Sequence, residues 1–148
     1  MKTIEAVRRS AVTVVPGCTL REAASVMERS GVGAVAVVDE GRLVGVATDR
    51  DLVRRALARG VADDARIDAV MSAPAVTIDA DSDLHDAFAL FRSHGVRRLA
   101  VVRRGEFVGM VTVDDLLIDL TSDLGDLMRP VTGEVVFGQH DSAVPATQ

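Results

Sequence analysis

Two threonines, each followed three positions later by an aspartate, are the residues of this chain whose types and spacing could do chemistry. Thr48 and Asp51 end an apolar run that begins with a glycine, and the same pattern returns 64 positions later at Thr112 and Asp115. A hydroxyl and a carboxylate placed where a strand turns into a helix can hydrogen-bond the hydroxyls of a sugar. They can equally form a capping box, in which the side chains bind free N–H groups at the helix start. The two motifs alone leave both interpretations open.

The charged residues around the two turns differ. Arg50 follows the first turn, and the corresponding residue at the second turn is Asp114. Arg97 and Arg98 stand at the start of a strand in the second half, and the corresponding two positions of the first half are uncharged. Guanidinium groups make strong, charge-assisted hydrogen bonds to phosphate, so the three arginines favour an anionic ligand at the first turn if one cleft includes them all. The alternative is that these arginines are solvated or paired with nearby acids. Capping is the stronger interpretation at the second turn, and we predict one occupied site rather than two equal ones.

Both turns belong to an internal repeat. Residues 12–53 align with residues 76–117 without a gap, and about a third of the positions are identical. The apolar periodicity and the turn residues predict the order strand, helix, strand, strand, helix in each copy. In the first copy the later elements are strands over 34–38 and 42–47 and a helix over 49–59, and in the second they are strands over 97–102 and 106–112 and a helix over 113–120.

One repeat of this size buries too little apolar surface to be stable alone. We therefore expect an α/β (α+β) fold in which two repeats pack about a pseudo-two-fold axis, with clefts between them. Residues 1–62 are expected to form the first repeat and residues 63–122 the second. Residues 123–148 are predicted to be a terminal segment that packs on the domain from 124 to 137 and frays from 140 onward.

The composition of the chain argues against several classes of function. A net charge of −5, only four Phe and no Trp or Tyr argue against nucleic-acid binding. The single cysteine excludes an internal disulfide and fits a reducing compartment. No run of 18 or more apolar residues and no charged-then-apolar leader is present, so we expect no membrane partner and a cytoplasmic location.

Catalytic and metal sites are not recognisable in the chain. The three histidines, His85, His94 and His140, do not have metal-ligand spacing with one another or with a cysteine. No set of nucleophile, base and orienting residue can be assembled in linear order, and no glycine-rich phosphate loop is present. We therefore predict no catalytic residue and no metal site.

The doubled unit, in which each copy ends on Gly-apolar-apolar-Thr-x-x-Asp, resembles a tandem pair of cystathionine-β-synthase (CBS) domains. The resemblance covers about residues 1–122 and includes the lead-in at 70–74, the run from Gly95 to Val102, and residues 48–52. It implies a single module of two β-α-β-β-α repeats and a homodimer. It also implies that an adenosine-containing ligand binds between the repeats: AMP, ADP or ATP, with S-adenosylmethionine and NAD(H) as further candidates.

The resemblance further implies the roles of individual residues. The aspartate of each turn would accept bonds from ribose hydroxyls, the threonine would bond ribose or phosphate, and basic residues on the strand would reach phosphates. The ligand-binding residues so implied are Thr48, Asp49, Arg50, Asp51, Arg97, Arg98, Thr112, Asp114 and Asp115. The function implied is a non-catalytic sensor that signals to an unknown protein partner. The alternative is a ligand-independent dimeric scaffold whose Thr-x-x-Asp turns are only helix caps, and an enzyme acting on a nucleotide is the weakest of three hypotheses.

Overall fold

The computed structural model describes residues 1–7 and 11–142, with side chains as far as Arg129. The strands are β1 (Thr13–Val14), β2 (Ala34–Asp39), β3 (Arg42–Thr48), β4 (Thr77–Asp79), β5 (Arg98–Arg103) and β6 (Glu106–Thr112). The helices are α1 (Leu20–Ser30), α2 (residues 49–59), α3 (Leu84–His94) and α4 (Val113–Ser142), and short 3-10 turns lie at Thr3–Ala6 and Ile67–Ala69. Helix α2 combines an α turn (Asp49–Asp51), a π-helical segment (Leu52–Ala56) and a 3-10 turn (Leu57–Arg59). The predicted α/β class and the order of elements in both repeats are confirmed.

The six strands form one sheet in the order β1-β2-β3-β6-β5-β4. In each half the short first strand runs parallel to the second strand, and the second and third strands form an antiparallel hairpin. The halves are joined between β3 and β6 by one antiparallel pair, Arg42 with Glu106. The two hairpins therefore meet only near their turns, and the carboxyl ends of β3 and β6 are left at the clefts.

Both hairpin turns place their two central residues in the left-handed region. Glu40 and Gly41 have φ of 50° and 83°, and Arg104 and Gly105 have φ of 53° and 79°. Two-residue turns of this kind match the twist of the flanking strands and need a positive φ at both positions. The sequence predicts the glycines, but it does not predict that Glu40 and Arg104 adopt a conformation that disfavours a side chain.

Side chains cap the starts of α1 and α3. Thr19 and Glu22 form a capping box before α1, with both side chain to backbone distances at 3.0 Å, and the helix ends at Gly31 with φ of 64°. Before α3, the Asp83 carboxylate accepts from the N–H of His85 at 3.0 Å. These local signals orient the helices that cover the sheet.

The segment that precedes each repeat packs in the core of the other half. Ala6 is fully buried in a cluster with Leu99 of the second half, and Ile67 is fully buried in a cluster with Val35 of the first half. Each packed half therefore contains the segment that precedes the other repeat in the sequence. The packed halves thus do not coincide with the sequence repeats. This exchange ties the two halves together in addition to the single strand pair.

Helix α4 differs from the prediction. It does not end at Leu120 but continues to Ser142, and all side chains from 121 to 129 are exposed. Leu124 and Leu127 are 58% and 70% exposed, so the predicted packing of this stretch on the domain is wrong as far as Arg129. The physical reason is that Thr121-Ser122-Asp123 contains no helix breaker, while the apolar spacing of three and four residues continues through it. Most of the predicted frayed end, residues 143–148, lies outside the described residues.

Candidate functional site: two clefts between the halves

The first Thr-x-x-Asp turn forms a complete capping box at the start of α2. The Thr48 hydroxyl accepts from the N–H of Asp51 at 3.1 Å, and the N–H of Thr48 donates to Asp51 Oδ2 at 3.0 Å. The other carboxylate oxygen of Asp51 lies 3.7 Å from Arg55 Nε, and the Asp51 side chain is only 14% exposed. Both residues therefore act as helix caps in the structure.

At the second turn, one of the two hydrogen bonds of a capping box is observed. The Thr112 hydroxyl accepts from the N–H of Asp115 at 3.0 Å, and the described hydrogen bonds include no return bond from the N–H of Thr112 to the Asp115 carboxylate. Capping is thus more complete at the first turn, whereas the sequence favoured capping over ligand binding mainly at the second turn. That prediction rested on the charge of the neighbouring residue, whereas a capping box requires the carboxylate to turn back toward the threonine N–H.

The first turn opens into a cleft of about 430 Å³, which we call the basic cleft. Its wall combines Thr48, Asp49 and Arg50 from the first half with Arg97 and Arg98 from the second half. The three arginines that the sequence suggested for phosphate binding therefore share one cleft. The volume lies within the range of small-molecule sites.

The second turn opens into a related cleft of about 310 Å³, the acidic cleft, lined by Thr112, Asp114 and Asp115. Arg98 reaches this cleft as well, and the opposite wall is formed by residues 11–12 and 31–34. Of the nine residues that the resemblance implied for binding, Asp51 alone lines neither of these two clefts. Its carboxylate is turned toward the Thr48 N–H instead.

The arginines of the clefts differ in whether an acidic side chain pairs with them. Arg97 donates to Asp114 Oδ1 at 2.9 Å, so this arginine is paired with an acid, as the alternative interpretation anticipated. In the part of the chain that the structure describes, the guanidinium groups of Arg50 and Arg98 make no hydrogen bond or ion pair. The basic cleft thus offers two unpaired cations, while the acidic cleft combines two carboxylates with Arg98.

The wall of the basic cleft includes residues that the residue-by-residue reasoning missed. Ser72 exchanges two backbone hydrogen bonds with Val46, of 2.9 and 3.0 Å, and this brings the lead-in segment with Pro74 and Val76 to the cleft. The Ala73–Pro74 peptide bond is cis. The signal that could have found them is the lead-in at 70–74, which entered the sequence argument only as part of the resemblance.

Gly33 is a second missed residue. A Cβ at this position would lie 3.1 Å from Asp49 Oδ2 and 3.4 Å from Arg98 Nη2, and the Gly33 carbonyl accepts from the N–H of Asp49 at 2.9 Å. The absence of a side chain therefore lets the first turn and the β5 arginine approach the same point between the clefts.

Other reactive groups are not assembled into a site in the described residues. These residues contain no group of three or more His, Cys, Asp or Glu side chains placed to hold a metal ion. Burial, and then the nearby Glu22, raise the pKa of the Cys18 thiol, which keeps it neutral and weakly nucleophilic. Among the described helices, none has the length and apolar character needed to cross a bilayer.

Both halves of the chain are similar to known proteins. A family model described as CBS domain matches twice, at residues 3–58 and 66–121. The CBS domain-containing protein YhcV of Bacillus subtilis (strain 168) is 39% identical over 111 residues, which span 75% of this chain and 79% of that protein.

Solved structures show the same fold. A CBS domain protein from Pyrobaculum aerophilum, complexed with AMP, aligns with a TM-score of 0.73 at 27% identity and covers 82% of this chain and 99% of its own. Hypoxic Response Protein I, solved with two coordinated zinc ions, aligns with a TM-score of 0.72 at 28% identity and covers 79% of this chain and 97% of its own.

Proposed function

Because the chain belongs to the CBS-domain family and contains two such domains, we propose that it is a non-catalytic sensor that binds an adenine nucleotide in the basic cleft. The observation that carries the proposal is the convergence of Arg50, Arg97 and Arg98 on the cleft beside the Thr48 turn. The similar Pyrobaculum aerophilum protein complexed with AMP supports the class of ligand. ADP, ATP, S-adenosylmethionine and NAD(H) are further candidates.

The side chains of the cleft match the parts of such a ligand. Arg50 and Arg98 have no competing partner in the described residues and can donate charge-assisted hydrogen bonds to phosphate oxygens. Apolar side chains of Val46, Val76 and Met110 line the same cleft and offer a surface for the adenine. The match of charge to phosphate and of apolar surface to the base favours a nucleotide over an uncharged ligand.

Two carboxylates are available for the ribose hydroxyls. Asp49 is exposed and lines the cleft, so it can accept directly. Asp51, the residue that the resemblance implies, first has to release the Thr48 N–H and would exchange a cap for a ligand contact. Ribose binding by Asp51 therefore requires a local rearrangement at the start of α2.

The proposal assigns one nucleotide to each chain. Asp114 and Asp115 repel a phosphate in the acidic cleft, and Arg98 is the cation that lines both clefts. A phosphate held by Arg98 in the basic cleft also withdraws that positive charge from the acidic cleft. The second site is therefore weaker than the first.

Binding in the basic cleft connects the two halves, because Thr48 and Arg50 belong to one half and Arg98 to the other. The ligand can shift the protein toward a closed state only if it binds that state more tightly than the open one. We propose that the protein is a homodimer that passes this change to a protein partner. The single cysteine fits a reducing compartment, so the proposal places the protein in the cytoplasm.

Thermal denaturation with AMP, ADP, ATP, S-adenosylmethionine and NADH tests the proposal. A ligand at 100 times its dissociation constant adds about 2.7 kcal/mol to stability. Arg98→Gln should reduce the rise in melting temperature, whereas Arg92→Gln, an exposed arginine of α3, should not. If none of the ligands raises the melting temperature at millimolar concentration, the proposal is wrong.

The complete capping box at Thr48 and Asp51 favours a second candidate function, a ligand-independent dimeric scaffold. In that case the turns serve only to start α2 and α4. The scaffold predicts that Arg98→Gln leaves the melting temperature unchanged with and without nucleotide, because the described residues give the Arg98 side chain no partner to lose.

A further inference from the structure

The carboxylate of Asp51 is held by two groups of its own half. Its Oδ2 accepts from the N–H of Thr48 at 3.0 Å, and its Oδ1 lies 3.7 Å from Nε of Arg55, four residues further along α2. Side chains at this spacing lie next to each other on a helix, and opposite charges attract there. Neither Asp51 nor Arg55 lines the basic cleft or the acidic cleft. Arg55 therefore favours the position in which Asp51 caps its helix and does not face the basic cleft.

The guanidinium group of Arg55 is itself fixed by the lead-in segment. Its Nη1 donates to the carbonyls of Val70 and Met71, at 3.4 and 3.2 Å. The next residue, Ser72, is held on β3 by its two backbone hydrogen bonds with Val46, so the segment keeps its place without Arg55. The two longer bonds thus orient the arginine beside Asp51 and are not needed to hold the wall of the cleft.

The second turn provides an internal comparison. The residue 64 positions after Arg55 is Asp119, which offers no positive charge to the carboxylate of Asp115. There, the described hydrogen bonds include no return bond from the N–H of Thr112, and Asp115 lines the acidic cleft. The same Thr-x-x-Asp motif therefore turns its carboxylate back to the threonine where an arginine follows four residues later, and lines a cleft where none follows.

We propose that Arg55 is a positioning residue that holds Asp51 out of the basic cleft while the cleft is empty. The proposal rests on the proposed function, because it concerns how a nucleotide recruits the carboxylate for its ribose. Binding of the ribose hydroxyls separates Asp51 from Arg55 and from the N–H of Thr48, while Arg55 stays on the carbonyls of the lead-in segment. The capped and released positions of Asp51 give the sensor two states that a nucleotide can distinguish.

Calorimetric titration of the full chain with AMP and with 2′,3′-dideoxyadenosine monophosphate tests this role. Both ligands carry the same base and phosphate, so the ratio of their affinities reports on the ribose hydroxyls. Arg55→Gln should raise the ratio in favour of AMP by about threefold, because Asp51 no longer has to leave an ion pair. Arg55→Met, which keeps the aliphatic part of the side chain, should have the same effect, and Arg55→Lys, which keeps the charge, a smaller one.

Arg54→Gln is the matched control. Arg54 is exposed on the same helix and, in the described part of the chain, makes no hydrogen bond or ion pair, so its substitution should leave the ratio unchanged. In an Asp51→Asn background, Arg55→Gln should have no effect on the ratio, because the carboxylate through which it acts is gone.

The outcomes separate this role from the nucleotide site itself. An unchanged ratio in Arg55→Gln and Arg55→Met, or the same rise in the Asp51→Asn background, would overturn the role of Arg55. If the wild-type protein still binds AMP in that case, the nucleotide proposal stands. A wild-type protein that does not bind AMP would overturn both proposals.

Discussion

The Arg97 guanidinium donates a hydrogen bond to the Asp114 carboxylate at 2.9 Å and so ties a residue of the basic cleft to a residue of the acidic cleft. Both side chains are exposed, at 69% and 73%. An ion pair of this exposure contributes about 0–1 kcal/mol, which a phosphate can readily outcompete. Arg97 thus remains able to bind a phosphate, although it is paired with Asp114 in the unliganded protein.

Asp114→Asn should increase the affinity for AMP because it releases Arg97 for the phosphate. The expected gain is at most about fivefold, the equivalent of one exposed ion pair. Isothermal titration calorimetry measures it. The same substitution in an Arg97→Gln background should give no gain, and a loss of affinity in the single variant would show that Asp114 itself contacts the ligand.

Asp51→Ala should destabilise the unliganded protein by about 1 kcal/mol, the usual effect of losing a cap. The reason is that its carboxylate accepts from the N–H of Thr48. Asp115→Ala is the matched control and should have a smaller effect, because at that turn the observed bond runs from the Asp115 N–H to Thr112 and survives the substitution. Urea denaturation compares the two, and equal losses would contradict the difference between the turns.

Gly45→Ala should be more destabilising than Gly109→Ala. A Cβ at Gly45 would lie 2.8 Å from the Ser72 carbonyl oxygen, and this carbonyl is held by a backbone bond to Val46. The atoms nearest to a Cβ at Gly109 belong to the Val7 side chain, at 2.7 Å, and not to a hydrogen-bonded backbone group. We expect a loss of about 1–3 kcal/mol for Gly45→Ala, typical of an overpacked site. Chemical denaturation that ranks the two variants in the reverse order would be inconsistent with this packing.

The cap of α3 should make stability depend on pH. The N–H of His85, and then its side chain, hold the pKa of the Asp83 carboxyl below its usual range. A carboxyl that is more acidic in the folded state contributes stability above its unfolded pKa of about 3.9. That contribution is lost as the pH falls through the folded pKa.

Asp83→Asn isolates this charge because asparagine keeps a capping oxygen. The melting temperature of the wild-type protein should exceed that of the variant by more at about pH 5 than at about pH 2.5. A difference that stays constant or widens toward acid would show that the charge of Asp83 does not stabilise the cap.

The order of elements and their caps could be predicted because they are encoded locally. Thr19 and Glu22 have the spacing of a capping box, Gly31 can adopt the left-handed conformation that ends a helix, and Gly41 can do so in the hairpin turn. Each of these signals spans only a few residues. The second repeat has corresponding signals, with Asp83 as the cap of α3 and glycines at the matching helix end and hairpin turn.

Two features could not be predicted in this way: the exchange of the lead-in segments between the halves, and the hydrogen bond that the Asp51 carboxylate makes to the start of its own helix. Ala6 and Ile67 belong to similar apolar segments that fit the core of either half, so local pattern does not decide between them. The Thr-x-x-Asp motif is the same at both turns, and only the direction of the carboxylate separates the full cap at Asp51 from the half cap at Asp115. The prediction ended α4 at Leu120, but residues 121–124 contain no glycine or proline, and the later apolar residues as far as Met128 face solvent instead of a core.

Calorimetric titration of AMP into the wild-type protein and into Arg98→Gln tests the central claim most directly. We expect one nucleotide per chain in the wild-type protein. Loss of one charge-assisted hydrogen bond, worth about 1.5–3 kcal/mol, should weaken binding at least tenfold in Arg98→Gln and leave the Arg92→Gln control unchanged. No binding at millimolar AMP, or two equal sites per chain, would contradict the assignment of the nucleotide to the basic cleft.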